Sequence, residues 1–231
     1  MNNIGNIPIY WINLNRSIDR KDFMESQFEK YKIPYTCRIE AVDGNNLNST
    51  NYDLFHSTKI KKLNIYEIAC TLSHIKALTK CYKDGHEYCI IMEDDCDFRY
   101  LEFHEKTIIE LFNLNNDDID VIQLITTMNA CDLINIKKQL NNQSIIKGYK
   151  WNTGAYFIKR NAIKKILDLN CELTEADHYV YNYVNTFYTT IPYFRIGLLY
   201  DTLVHETESK HDKLIKWNTK FWDNYFYNDK K

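Results

Sequence analysis

The sequence predicts an α/β fold, with a mostly parallel central sheet flanked by helices in a single domain. Three observations carry this. Short β-branched and aromatic runs alternate with runs whose apolar residues recur at helical spacing. One short run, residues 88–92, is apolar without interruption, as a strand covered on both faces must be. The chain has 231 residues, 45% hydrophobic and 26% charged, which suits one globular core and gives no support to disordered or fibrous classes.

Taken in order, residues 7–14 read as a strand, and residues 17–31 as a helix with Phe23, Met24, Phe28 and Tyr31 on one face. Residues 35–42 form a second strand ended by Asp43-Gly44, and the polar, Asn-rich stretch 45–63 reads as a surface loop. Asn64 followed by Glu67 has the spacing of a capping box. Ile68, Leu72, Ile75, Leu78 and Tyr82 then hold one helical face up to the Asp84-Gly85 stop. The buried strand 88–92 runs straight into Glu93-Asp94-Asp95. Residues 101–114 are amphipathic, 119–125 read as another buried strand, and the span to Lys150 is poorly patterned. Residues 154–158 and 162–169 repeat strand then helix, residues 174–188 read as a helix opened by a Thr cap, and 191–196 as the last strand. In the tail, Leu214, Trp217, Phe221 and Tyr225 have helical spacing. The predicted organisation is therefore a domain over 1–209 and an aromatic C-terminal helix within 210–231 that docks on it or extends from it.

Composition also excludes function classes. Lys+Arg 29 against Asp+Glu 31 gives a net charge of -2 with no block of like charge, so neither nucleic acid nor an anionic membrane surface is an expected partner. The 6 glycines are too scattered for a dinucleotide fingerprint or a Walker A loop, so any diphosphate must be held without a glycine cradle. Seven cysteines without a Cys-x-x-Cys pair read as free thiols in a reducing compartment rather than a zinc site or disulfide framework. With no leader pattern and no membrane-length apolar run, a cytoplasmic protein is expected.

The acidic triplet needs a reason. In an open α/β sheet, ligands bind outside the carboxyl ends of the strands. Side chains alternate along an extended chain, so Glu93 and Asp95 are expected on one side and Asp94 on the other. Two carboxylates on one side suit a hard cation, Mg²⁺ or Mn²⁺, which would clamp a diphosphate in place of glycine NH groups. The plainer alternative is that the acids end the strand and face solvent, or cap the next turn.

Four separated segments together resemble glycosyltransferase family 25, which includes lipopolysaccharide-biosynthesis and procollagen galactosyltransferases. They are Ile12-Asn13-Leu14-Asn15-Arg16-Ser17 with Asp19-Arg20; Ala41-Val42-Asp43-Gly44; Glu67-Ile68-Ala69-Cys70-Thr71-Leu72-Ser73-His74; and Ile91-Met92-Glu93-Asp94-Asp95. Weaker likeness runs through Ala155-Tyr156-Phe157-Ile158 and Ala176-Asp177, and carries the match to about residue 209. Tyr66 and Ala69 depart from the family, which usually has glycine at both places.

The resemblance implies a GT-A fold and an inverting transfer of a hexose, galactose or glucose, from a UDP-sugar to a glycan, glycolipid or protein hydroxyl, with Mn²⁺ or Mg²⁺. It makes Asp95 the first-choice metal ligand, with Glu93 and the later His205 as further ligands. It points to Asn13, Arg16, Arg20, Asp43, Ser73, His74, Glu93 and Asp94 for donor contacts, and to Asp177, then Glu175, as the general base. Each has a structural alternative: Arg20 an exposed first-turn residue paired with Asp19, Asp43 an Asp-Gly turn, His74 a packed helical residue, Asp177 a helix cap, His205 a surface residue. Trp151 and Tyr156 could stack on a sugar or belong to the core. Two other classes remain open on the residues alone: a metal-dependent nucleotidyltransferase or phosphohydrolase, and an inactive nucleotide- or glycan-binding protein.

Overall fold

A computed structural model describes residues 4–47, 63–113, 118–137, 144–197 and 210–229. The first half is a βαβαβ run: β1 (Ile9–Asn13), α1 (Ile18–Lys30), β2 (Thr36–Glu40), α2 (Ile65–Asp84) and β3 (Tyr88–Glu93). β1 pairs in parallel with both β2 and β3, so the chain leaves β1 toward one side and returns on the other. The sheet continues through β7 (Ala155–Lys159), β5 (Val121–Gln123), β8 (Thr186–Thr189) and β6 (Ile145–Lys147) in the order β2-β1-β3-β7-β5-β8-β6. Five of these seven strands point one way, and β6 and β7 run against them.

Alternation buries both faces of β1 and β3, which explains the unbroken apolar run at 88–92. Ile9, Trp11, Ile90 and Met92 pack on one face with Met24 and Phe28 of α1. Tyr10, Ile12, Cys89 and Ile91 pack on the other with Ile68, Leu72, Ile75 and Leu78 of α2. The capping box is present: Asn64 Oδ1 accepts from the NH groups of Tyr66 and Glu67, both at 2.9 Å, while Glu67 Oε2 accepts from the Asn64 NH at 2.9 Å. Gly85 ends α2 in the left-handed conformation, φ 83°.

Several elements differ from the sequence reading. Residues 101–114 are not one helix. A 3₁₀ segment (Phe98–Phe103) is followed by α3 (Ile108–Asn113), because Thr107 and Glu110 form a new capping box that restarts the helix. The poorly patterned span contains α4 (Ala130–Lys137) and the edge strand β6. After α5 (Arg160–Leu167), the helix expected over 174–188 is only α6 (Ala176–Tyr181). Its second half is β8, whose Thr186, Phe187 and Tyr188 pair with β5. Its N-cap is Glu175, without a side-chain cap bond, and not Thr174, whose carbonyl instead accepts from Thr71 Oγ1 at 2.8 Å. Of the strand expected at 191–196, only β9 (Arg195–Ile196) pairs, with β4 (Cys96–Asp97).

The tail forms α7 (Lys210–Asn224) and a π-helical turn (Tyr225–Asp229). Its buried face lies one position off the predicted one. Asn218, Thr219, Trp222 and Phe226 are buried while Trp217 is 40% exposed. Trp222 and Phe226 pack against Tyr100, Met128, Leu133 and Ile191, and Asn218 bonds both backbone groups of Met128. The predicted loop at 45–63 lies mostly outside the described residues, as does His205. Among the described residues no helix is long and apolar enough to cross a membrane.

Candidate active site

The crevice rule for open sheets points to the β1/β3 boundary, where the strand order reverses: α1, after β1, packs on one face and α2, before β3, on the other. A cleft of about 120 Å³ opens there, at the carboxyl ends of β1, β2 and β3 and beneath α2. It is lined by Asn13, Arg16, Arg20, Ser73, His74, Glu93, Asp94 and Asp95, together with Tyr66, Ala69 and Cys70. Eight sequence-predicted residues thus meet at one place. Asp43 sits at the rim, where it pairs with Arg16 and accepts the Asn45 NH at 3.0 Å, so its turn role is real.

The three acids have three different environments. Asp94 turns away from its neighbours and is 6% exposed: Arg20 Nη1 donates to its Oδ1 at 2.7 Å and Asn13 Nδ2 to its Oδ2 at 2.7 Å. Arg20 is therefore not an exposed partner of the first turn; it is buried and ties α1 to the β3 end. Glu93, the last residue of β3, accepts from Thr153 Oγ1 at 2.9 Å and lies 3.3 Å from His74 Nε2. Burial pushes the Glu93 carboxyl up, but the bond and charge of His74, the Thr153 hydroxyl and Arg20 outweigh it, so the net shift is downward. Among the described residues no side chain hydrogen-bonds the Asp95 carboxylate. Burial first, and then the charge of Glu93, push its carboxyl up to about 7 against the opposing pull of Arg20.

The turn that carries Asp95 is pinned from behind. The Gly197 NH donates to the Asp95 carbonyl at 2.6 Å, and a Cβ on Gly197 would lie 2.9 Å from that oxygen. Only glycine lets β9 approach so closely. On the opposite wall, Tyr66 stands where the family usually has glycine. Its ring lies over Gly44, where an added Cβ would meet Tyr66 Cδ1 at 2.6 Å, and its hydroxyl donates to Asn45 Oδ1 at 3.0 Å. Ser73 accepts the Val42 NH at 2.9 Å and donates to the Ala69 carbonyl at 2.7 Å, so it joins the end of β2 to α2.

Asp177 and Glu175 do not line the cleft, but they stand close by. The charges of Asp177 and Glu93 both fall on the Cys70 thiol and the Tyr181 hydroxyl, which burial first and then these acids push upward. Asp177 Oδ1 accepts the NH of the adjacent His178 at 3.0 Å, and Glu175 lies 3.5 Å from His178 Nδ1. Tyr156 is wholly buried, with its hydroxyl 3.2 Å from His74 Nδ1, so it supports the histidine and cannot stack on a sugar. Trp151 is 59% exposed, 6.2 Å from the His178 ring. Sequence reasoning missed Cys70 and Thr153. The i, i+4 spacing of Cys70 and His74 was a usable signal for the first, whereas nothing local marked Thr153.

A family model described as "Glycosyltransferase family 25 (LPS biosynthesis protein)" matches residues 6–181. The chain belongs to glycosyltransferase family 25. That match contains every candidate residue named above except His205, and stops short of residue 209. The family 25 chain is 25% identical over 172 residues to the lipooligosaccharide biosynthesis protein lic2B of Haemophilus influenzae, covering 71% of this chain and 64% of that protein. It also aligns with the solved glycosyltransferase involved in the glycosylation of the major capsid of PBCV-1, at 8% identity and a TM-score of 0.39, over 93% of this chain and 98% of that one.

Proposed function

We propose that the chain transfers a hexose from a UDP-sugar to an acceptor hydroxyl with inversion, on a GT-A-type sheet, in a cation-dependent reaction. The observation that carries this reading is the split among the acids. Arg20 and Asn13 hydrogen-bond Asp94, while Glu93 and Asp95 both face the cleft and the charge of Glu93, added to burial, holds the Asp95 carboxyl above its ordinary range. An oxygen-only pair of this kind fits Mn²⁺ or Mg²⁺, with Asp95 and Glu93 as the protein ligands. When bound, such an ion supplies charge neutralisation for the departing diphosphate.

The chain's own residues do the rest. Arg16, at the mouth of the cleft beside Asp43, offers a cation to phosphate oxygens or a partner that frees Asp43 for a ribose hydroxyl. Tyr66 and the β2 end wall the side where a base would stack. Asp177 takes the proton of the acceptor hydroxyl as that oxygen attacks the anomeric carbon, and Glu175 is the alternate base. Trp151, exposed beside the same short helix, offers a flat face to an acceptor sugar.

The test is a donor screen: purified chain, Mn²⁺ and a panel of nucleotide sugars, scored for release of nucleotide and for transfer to glycan acceptors. UDP-hexose turnover that Asp95→Ala lowers by orders of magnitude supports the proposal. Release of sugar phosphate, or binding of UDP without turnover under all conditions, refutes it.

A further inference from the structure

Cys70 and His74 lie four residues apart on α2, so their side chains leave the same face of the helix. That face meets the end of β3. The Cys70 Sγ, a His74 ring nitrogen and a Glu93 carboxylate oxygen all lie within 4.8 Å of one another. This donor set differs in kind from the oxygen pair of Glu93 and Asp95: thiolate and imidazole select Zn²⁺ over Mg²⁺ or Mn²⁺. We propose that Cys70, His74 and Glu93 form a zinc site in the wall of the cleft, with its fourth position open to solvent.

The geometry is close to what zinc requires. With ligand bonds of about 2.0–2.1 Å, a tetrahedral ion holds a nitrogen and an oxygen ligand about 3.4 Å apart. His74 Nε2 and Glu93 Oε1 are already 3.3 Å apart. With a Zn–S bond of about 2.3 Å the sulfur must come to about 3.6 Å from each, a change within reach of side-chain rotation. Supporting contacts exist too. His74 Nδ1 lies 3.2 Å from the Tyr156 hydroxyl, which fixes the ring with Nε2 toward the cleft, and Thr153 Oγ1 holds Glu93 at 2.9 Å. The charges balance as well: the Cys70 thiol gives its proton to solvent, and thiolate plus carboxylate offset the two positive charges of the ion. Because Glu93 belongs to both donor sets, zinc would compete with the hard cation; that consequence rests on the proposed function, whereas zinc binding does not.

The experiment is Co²⁺ titration of the purified 231-residue chain in a Cys131→Ser background, which removes the exposed thiol. One equivalent of Co²⁺ should give tetrahedral visible absorption and a near-ultraviolet thiolate band, both displaced by Zn²⁺. Cys70→Ser should remove the thiolate band and weaken Zn²⁺ binding by about tenfold or more, while Asp95→Asn keeps both. The proposal is overturned by a wild-type spectrum without the thiolate band, by a band that survives Cys70→Ser, or by zinc affinity that falls in Asp95→Asn alone. Where Cys70→Ser does not fold, X-ray absorption of the zinc-loaded Cys131→Ser chain decides. One sulfur at about 2.3 Å supports the site, and a shell of nitrogen and oxygen only overturns it. Zinc bound in this way by a chain that never transfers sugar would retain the site and remove the proposed function; the converse result would do the reverse.

Discussion

Replacing Arg20 by Met removes a guanidinium while keeping an aliphatic stem, and leaves Asp94 with Asn13 as its remaining side-chain donor. Both members of the ion pair are buried, at 8% and 6% exposure, and their contact is 2.7 Å. A single buried charge stripped of its partner costs about 3–5 kcal/mol. That is consistent with roughly 4 kcal/mol of attraction between charges about 4 Å apart at an effective dielectric of about 20. Asp94→Asn leaves the opposite charge uncompensated, although Asp95 and Glu93 remain near the guanidinium, so it should cost less. The double variant leaves neither member of the pair facing a missing partner and should cost clearly less than the sum of the two, by about 2 kcal/mol or more. Urea unfolding of the four proteins at unchanged denaturant slope measures all these quantities. Singles that each cost under about 1 kcal/mol, or that simply add, would refute the claim that this pair fixes the β3 end onto α1.

Asp95 should print a signature on stability. Its native carboxyl holds a proton up to about pH 7, whereas an unfolded Asp releases it near pH 4, so the native state binds more protons in between and the stability that Asp95 contributes falls as pH rises across that window. The stability of Asp95→Asn relative to wild type should therefore rise from pH 4 to pH 7, and a flat difference would count against the shift. Asp177→Asn should lower transfer by about 10²–10⁴-fold while UDP binding by calorimetry stays unchanged; if transfer survives, Glu175→Gln becomes the variant to measure. Trp151→Ala should raise the acceptor KM by about three- to tenfold, as expected for roughly 0.5–1.5 kcal/mol of ring stacking, with the donor KM unmoved.

Patterns confined to a few consecutive residues were legible, and patterns assembled from distant ones were not. The capping box at Asn64, the Gly85 stop and the double-faced burial of β3 follow from local spacing, and the structure reproduces each. β6 and β8 were not readable in the same way. A three-residue edge strand has no period to detect, and Thr186–Thr189 extends only because β5 lies beside it. The face of α7 was misjudged by one position because buried Asn218 and Thr219 satisfy their polar atoms on backbone carbonyls and NH groups, an arrangement that hydrophobic spacing cannot reveal.

At the site, sequence alone determined which residues gather: short-range order set the strand ends, and the connection of β1, α1, β2, α2 and β3 carries Asn13, His74 and the acidic triplet to one crevice. Only tertiary structure decided what each acid does. Identical carboxyl chemistry on three adjacent residues diverges because Arg20, from α1, hydrogen-bonds Asp94 and Thr153, from the segment before β7, hydrogen-bonds Glu93, while burial and the charge of Glu93 dominate at Asp95. The same long-range packing places a cysteine and the histidine one helical turn after it against the glutamate at the end of β3. Protonation and metal preference depend on the charges and donors within a few ångströms, and those neighbours are supplied by segments that sequence spacing does not connect.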